Sequence, residues 1–181
     1  GGLASETKPS LSSHLKSRFK VGEILRSSGC QVIEFRASII LGPSSTSFEL
    51  LRALVERLPI MITSKWVHVS SQPIYIDNVI QYLVMALSMD IKGNPKYEIG
   101  GKSVLSYLEL MKHYAHLRGL RRYVIAAPLI TPRISSMWLS LVVPFYARVG
   151  RRLIESITVP SIVNDHQAQA LFGIQPLDIQ E

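Results

Sequence analysis

The chain has 181 residues, 47% of them apolar and only 18% charged. That composition supplies one well-buried core, hardly two, and excludes disorder over most of the length. Lys and Arg outnumber Asp and Glu 20 to 13, giving a net charge of +7 and a pI near 9.7, and the single cysteine, Cys30, excludes a disulfide framework or a Cys-rich zinc site.

In chain order, Ser12 or Ser13 can cap a helix that runs to about Ser28, with Gly29 at the left-handed position after its end. Residues Gln31 to Leu41 are rich in β-branched side chains and predict a strand that enters a loop at Gly42-Pro43. Phe48, Leu51, Leu54, Val55 and Leu58 recur at helical spacing, and Pro59 stops that helix. Three short strands are predicted next, at Ile60 to Thr63, Trp66 to Val69 and Pro73 to Ile76. Asp77 stands at an N-cap position before Val79, Ile80, Leu83, Val84 and Leu87, the stripe expected of a helix packed on a sheet.

Lys96 to Ile99 reads as a strand ended by Gly100-Gly101. Ser106 and Glu109 form a capping box with Leu105 and Leu110 as its hydrophobic staple, and that helix ends at Gly119. Thr131-Pro132 predicts a further helix start, and Asn164 or Asp165 can cap a last short helix before Gly173. The apolar run Met137 to Ala147 is interrupted by Ser140 and Pro144 and falls short of the roughly 20 residues that span a bilayer. It reads as a buried helix, or as an interfacial one given the basic Arg148, Arg151 and Arg152 that follow. No apolar signal segment precedes Ser13. The alternation of elements predicts an α/β chain with a mostly covered sheet.

The search for chemistry is mostly negative. No G-x-G-x-x-G fingerprint, P-loop or G-x-S-x-G elbow occurs, and Gly101-Lys102-Ser103 lacks the upstream glycine that a phosphate cradle needs. Glu109, His113 and His116 share a helix face without forming H-E-x-x-H, so they read as a solvated face and no metal is expected. The basic clusters, Arg118, Arg121 and Arg122 and then Arg148, Arg151 and Arg152, lack interleaved aromatics, which leaves nucleic-acid binding resting on charge alone.

Several segments in register resemble the C-terminal portion of an extended or atypical short-chain dehydrogenase/reductase, near the epimerase and complex I accessory-subunit branch. Gly1-Gly2-Leu3 is similar to the residues after that family's fifth strand, and Ser12 to Arg18 to the start of its Tyr-x-x-x-Lys helix. Phe35 to Pro43 resembles its R-P-x-x-V-Y-G-P segment, Pro73 to Val79 its "hvdDva" helix start, and Tyr97 to Gly101 its "yniGg" strand. The resemblance implies hydride transfer with NAD or NADP. His14 and Arg18 stand where the family has its catalytic Tyr and Lys, and no Tyr-x-x-x-Lys occurs anywhere in the chain. Arginine keeps its proton yet its fork still donates to ribose hydroxyls, whereas an imidazole, titrating near pH ~6.5 in isolation, exchanges protons at neutral pH. The alternative is that both merely solvate a helix end. By the same carry-over Ala37, Ser38 and Ile39 form the nicotinamide-side wall with Arg18. Arg36 lies on the substrate side, or else makes an ion pair with Glu34 or Glu56.

The expected architecture is therefore α/β: the C-terminal part of a doubly wound Rossmann-like sheet plus a small α+β substrate-side lobe. Residues 1–45 carry the last Rossmann helix and strand, 46–72 an insertion of the lobe, 73–101 the packing helix and adjoining strands, and 102–181 the C-terminal lobe. The family's glycine-rich turn would precede Gly1, so a fragment with half a cofactor site, inactive alone, is expected. The functional expectation is an NAD(P)-binding oxidoreductase- or epimerase-like protein with an altered active site. Its alternatives are a non-catalytic structural or membrane-associated accessory protein, with a basic tail from Arg133 to Ile157, and a basic nucleic-acid-binding module. The partners expected are an unidentified small molecule, a peripheral membrane contact and a second copy of the chain; the expected location is the cytoplasm, with membrane association open.

Overall fold

A computed structural model describes residues 2–4, 11–63, 65–126 and 158–179. The expectations at Thr131-Pro132, Met137 to Ala147, Arg148 to Arg152 and the tail from Arg133 to Ile157 lie outside them. The described residues divide into two compact units.

The first unit comprises 1–42, 72–104 and 161–181. Its helix α1 (Ser13–Arg26) is capped by the Ser12 side chain, which accepts from the Leu15 amide at 3.2 Å. Strand β1 (Glu34–Ala37) pairs in parallel with β6 (Lys96–Ile99), with Phe35 opposite Tyr97 and Ala37 opposite Ile99. Gly2 bridges to Ala37, also in parallel, on a further line of chain. Strand β2 (Ile40–Leu41) pairs in parallel with β5 (Ile74–Tyr75), which leads into α3 (Ile76–Ser88). The predicted single strand from Gln31 to Leu41 is thus two strands, parted at Ser38-Ile39, each with a different partner.

Side chains alternate across β1, so helices cover opposite faces. Glu34 and Arg36 face α1, where Phe19 lies under the Arg36 guanidinium, 4.7 Å from its centre. Phe35 points the other way into an aromatic cluster with Tyr82 of α3, Tyr97 of β6 and Phe172. Phe172 belongs to the short helix α5 (Gln167–Phe172), which stacks its ring 5.6 Å from Tyr97 and 5.5 Å from Tyr82. The stretch 161–179 therefore packs in this unit.

Helix α3 forms where the periodicity predicts it, but rotated. Asn78 and Tyr82 are buried and Val79 and Ala86 pack beside them, whereas Ile80, Leu83, Val84 and Leu87 are exposed. Tyr82 explains the rotation. Its ring completes the aromatic cluster, and Asn78 Oδ1 accepts from the Leu177 amide at 3.1 Å, so the large aromatic and the buried amide outweigh the aliphatic stripe. Asp77 lies in the first turn of α3, with Tyr75 at the cap position.

The second unit comprises 43–71 and 105–160. Helix α2 (Thr46–Arg57) packs on α4 (Tyr107–Leu117), with Phe48 edge-on to Tyr114 at 5.8 Å. Strand β3 (Ile60–Thr63) pairs in parallel with β8 (Tyr123–Ala126), and β4 (Ser70–Ser71) antiparallel with β7 (Leu105–Ser106). The predicted strand at Trp66 to Val69 is instead a 3₁₀ turn, Lys65–His68, that tucks Val67 fully inside. The capping box forms as the sequence predicts: the Glu109 amide donates to Ser106 Oγ at 3.2 Å and the Ser106 amide to Glu109 Oε2 at 2.8 Å. No helix among the described residues is long and apolar enough to cross a membrane.

The rotation of α3 is directly testable by paired substitutions. Tyr82→Ala removes a buried ring from the cluster and should cost about 3–5 kcal/mol in urea unfolding. Leu87→Ala on the outward stripe should stay within about 0.5 kcal/mol of wild type. The reverse ranking would show that α3 packs by its aliphatic stripe after all.

Candidate functional site

The register of α1 against β1 decides which residues share an end of the sheet. At the far end of α1, Arg26 donates to the Glu34 carboxylate, and a side chain at Gly22 would stand 2.6 Å from the same carboxylate. One turn earlier Phe19 sits under Arg36. Another turn earlier Leu15 packs against Gly2, which bridges to Ala37. The helix thus runs antiparallel to β1, and its first turn, with His14, lies at the carboxyl end of the strand. Open α/β sheets bind ligands at that end.

Three connecting segments meet there. Ser38 follows β1, and Gly100-Gly101 follows β6 in the parallel register. Gln72 precedes β5. Its buried amide donates from Nε2 to the Gly101 carbonyl at 2.7 Å and accepts at Oε1 from the Val163 amide at 2.9 Å. Its backbone N–H donates to the Ser161 carbonyl at 3.0 Å. So clamped, Ser161 brings its hydroxyl to 2.6 Å from that of Ser38. The glycines make this crossing feasible by close approach: a Cβ at Gly101 would lie 2.1 Å from the Pro73 carbonyl oxygen, and one at Gly100 2.8 Å from the Gln72 and Val163 side chains.

The six residues singled out in the sequence fall into different surroundings. His14 is half-buried in the first turn of α1, and Arg18, one turn on, is exposed. Ala37 closes β1, its carbonyl accepting from the Leu3 amide at 2.9 Å. Ser38 meets Ser161, and Ile39 is buried, its carbonyl accepting from Ile74 at 3.0 Å. Arg36 is buried on the α1 face: its Nε donates to Glu34 Oε1 at 3.0 Å. The ion pair with Glu34 considered from the sequence is formed, and the guanidinium lies between that carboxylate and the Phe19 ring.

Burial pushes the Glu34 carboxyl up, but the hydrogen bonds from Arg36 and Arg26 outweigh burial and hold it below its usual value of 4.5. The basic cluster in the second unit is likewise engaged locally. Arg122 donates to the Val55 and Glu56 carbonyls at the end of α2, and Arg118 lies 3.6 Å from the Glu56 carboxylate, which also accepts from the Tyr114 hydroxyl at 2.7 Å. Among the described residues no three His, Cys, Asp or Glu side chains converge to hold a metal ion.

Sequence reasoning missed Gln72 and Ser161. Gln72 stands in a polar Ser-Ser-Gln-Pro run and Ser161 in an aperiodic stretch, so neither carries a local signal; their roles arise from contacts 29 to 123 residues apart.

No family model matches the sequence, and no curated protein matches it at a significant level. Solved structures match the fold. NADPH-dependent quinone oxidoreductase QOR2 from Escherichia coli, in complex with NADPH, gives a TM-score of 0.72 at 14% identity, over 98% of this chain and 60% of that one. A nucleoside-diphosphate-sugar epimerase from Staphylococcus aureus gives 0.64 at 13% identity, over 98% and 60%. MoeE5 in complex with UDP-glucuronic acid and NAD gives 0.62 at 18% identity, over 98% and 55%. The chain spans 55 to 60% of the length of these three. At such identities the likeness is one of fold alone: the chain shares a Rossmann-type α/β fold with these proteins.

The buried Glu34 node makes the stability of the first unit pH-dependent. A carboxyl held low when folded stabilises the fold above its unfolded value of 4.5, and that contribution is lost as pH falls through the lower folded value. Glu34→Gln should cost about 1.5–3 kcal/mol at pH 7, the loss of charged hydrogen bonds, and should flatten the acid limb of a stability–pH profile. A variant with the wild-type acid limb would remove Glu34 as its source.

Proposed function

We propose that this stretch of chain forms the nicotinamide and substrate side of an NAD(P)-binding, oxidoreductase- or epimerase-like site, with His14 and Arg18 standing for the family's Tyr-x-x-x-Lys pair. The observation that carries the reading is the α1–β1 register, which supports a shared location for His14 and Ser38 at the carboxyl end of a parallel sheet. The fold likeness to proteins crystallised with NADPH and NAD supports the choice of cofactor.

The groups at that end suit one half of such a dinucleotide. The Ser38–Ser161 hydroxyls and the exposed Arg18 fork are donors for ribose hydroxyls and a neutral amide. The sequence holds no glycine-rich turn between a strand and a helix that would cradle a pyrophosphate. Bound NAD(P) would supply the hydride acceptor or donor. Arg18 would anchor, since a guanidinium does not release its proton, and His14 would carry the proton that moves. The same pair favours a second reading, a protein that binds NAD(P) without turnover, because arginine cannot exchange a proton as lysine can.

Fluorescence titration with NADH and NADPH tests the proposal. Arg18→Ala should weaken binding about tenfold, the loss of one charged hydrogen bond. Unchanged affinity would remove Arg18 from the site, and no binding even to protein that adds a glycine-rich half upstream would end the cofactor reading. Binding without hydride transfer to any carbonyl acceptor would favour the non-catalytic form.

A further inference from the structure

Two facing serine hydroxyls carry two protons, and the bond between them uses one. The Ser38 and Ser161 hydroxyls meet at 2.6 Å, and among the described residues neither makes another hydrogen bond. Each is half-buried, so the pair retains one donor that the described residues do not satisfy. Its position is fixed from three sides. Ser38 is bracketed by Ala37 in β1 and by Ile39, whose carbonyl binds Ile74. Ser161 is tied by its carbonyl to the Gln72 backbone, and two residues later the Val163 amide is tied to the Gln72 side chain. The other end of that side chain grips Gly101 after β6.

The pair contains no cation, and Arg36, two residues before Ser38, is held by Glu34 on the opposite face of β1 from Phe35. A lone hydroxyl donor without positive charge recognises a neutral oxygen, carbonyl or hydroxyl, better than a phosphate, which draws Arg, Lys or a helix N-terminus. We propose that Ser161, held against Ser38 by Gln72, contacts ligand directly and donates the spare proton of the pair to a neutral carbonyl or hydroxyl oxygen. Gln72 is then a positioning residue. The inference rests on the cofactor reading above and names a hydroxyl that the sequence resemblance does not reach.

Two sources can present such an oxygen: the nicotinamide amide of the cofactor, or the sugar of a nucleotide-sugar substrate. The test measures affinities of the wild-type chain and Ser161→Ala for NADH against ADP-ribose, which lacks nicotinamide, and for UDP-glucose against UDP, which lacks the sugar. Ser161→Ala should lose about three- to tenfold for NADH alone if the amide is the acceptor, or for UDP-glucose alone if the sugar is. Ser161→Thr, which keeps the hydroxyl, should restore the lost affinity. Gln72→Met should reproduce the selective loss, and adding Ser161→Ala to it should bring little more, because both act through one contact.

A purely structural pair would lower the melting temperature and weaken all four ligands alike, and that result overturns the proposal. So does wild-type affinity for all four in Ser161→Ala. If the wild-type chain binds none of the four, this inference fails; the cofactor reading falls with it only if protein that adds a glycine-rich half binds none of them either. Binding by the wild type with no selective loss in Ser161→Ala ends this inference alone.

Discussion

The first unit is organised around a buried carboxylate. Glu34 sits on β1 with Arg36 two residues along the same face and Arg26 reaching over from α1. Desolvating three charges is expensive, and apolar side chains of similar size would often serve stability equally well. What the node provides is register. Sliding α1 by one turn, about 5.4 Å, would carry Arg26 away from Glu34 and leave buried charge unpaired. Slipping β1 by one residue would turn Glu34 into the aromatic cluster and Phe35 out of it. Gly22 belongs to the same constraint, since a side chain there would meet the carboxylate before the helix could seat. With one end of α1 pinned, a rigid helix delivers its other end to Ala37, and the location of His14 follows from an ion pair three turns away.

The opposite face of β1 is held by a different force. Phe35, Tyr82, Tyr97 and Phe172 come from four separate stretches of chain and meet with ring centres 5.5 to 5.9 Å apart. Apolar burial of this kind tolerates small rotations, so it fixes which segments meet more than their register. It brings the last described segment back onto β6, and Gln72 then converts that loose association into a defined one. A single buried amide binds a carbonyl after β6 and an amide two residues beyond Ser161. Both the ion node and the amide clamp are polar and directional, and both act where position rather than stability is at stake.

These causes explain what the sequence disclosed. Features that depend on neighbours in the chain were legible: the Ser12 cap, the Ser106–Glu109 box, the strand at Lys96 to Ile99, and helices at Phe48 to Leu58 and after Asp77. Period alone does not decide which of two apolar faces turns inward, so α3 was found but its rotation was not; that choice belongs to Tyr82 and its three distant rings. The residues from Trp66 to Val69 are β-prone, yet a short 3₁₀ turn buries Val67 completely, a gain visible only when the surrounding unit is assembled. Of the proposed site, the helix pair His14 and Arg18 and the loop after β1 come from resemblance in register. Gln72 and Ser161 do not, because a lone glutamine and a lone serine owe their meaning to partners at the other end of the chain.

On the proposed reading, the proton bookkeeping at this end of the sheet differs from that of a Tyr-x-x-x-Lys pair. Arg18 stays charged throughout and can only donate, so it can stabilise a nearby negative charge or hold a ribose but cannot pass a proton along. Arg36 is excluded for a second reason, being locked to Glu34. Proton traffic then falls to His14 and to the linked hydroxyls of Ser38 and Ser161. A hydroxyl pair can reverse its direction, each oxygen donating or accepting in turn, without any net change of charge. Such a pair orients a neutral oxygen and leaves acid–base work to the imidazole. The division separates binding from chemistry: changes at Ser161 should be felt in affinity, and changes at His14 in turnover.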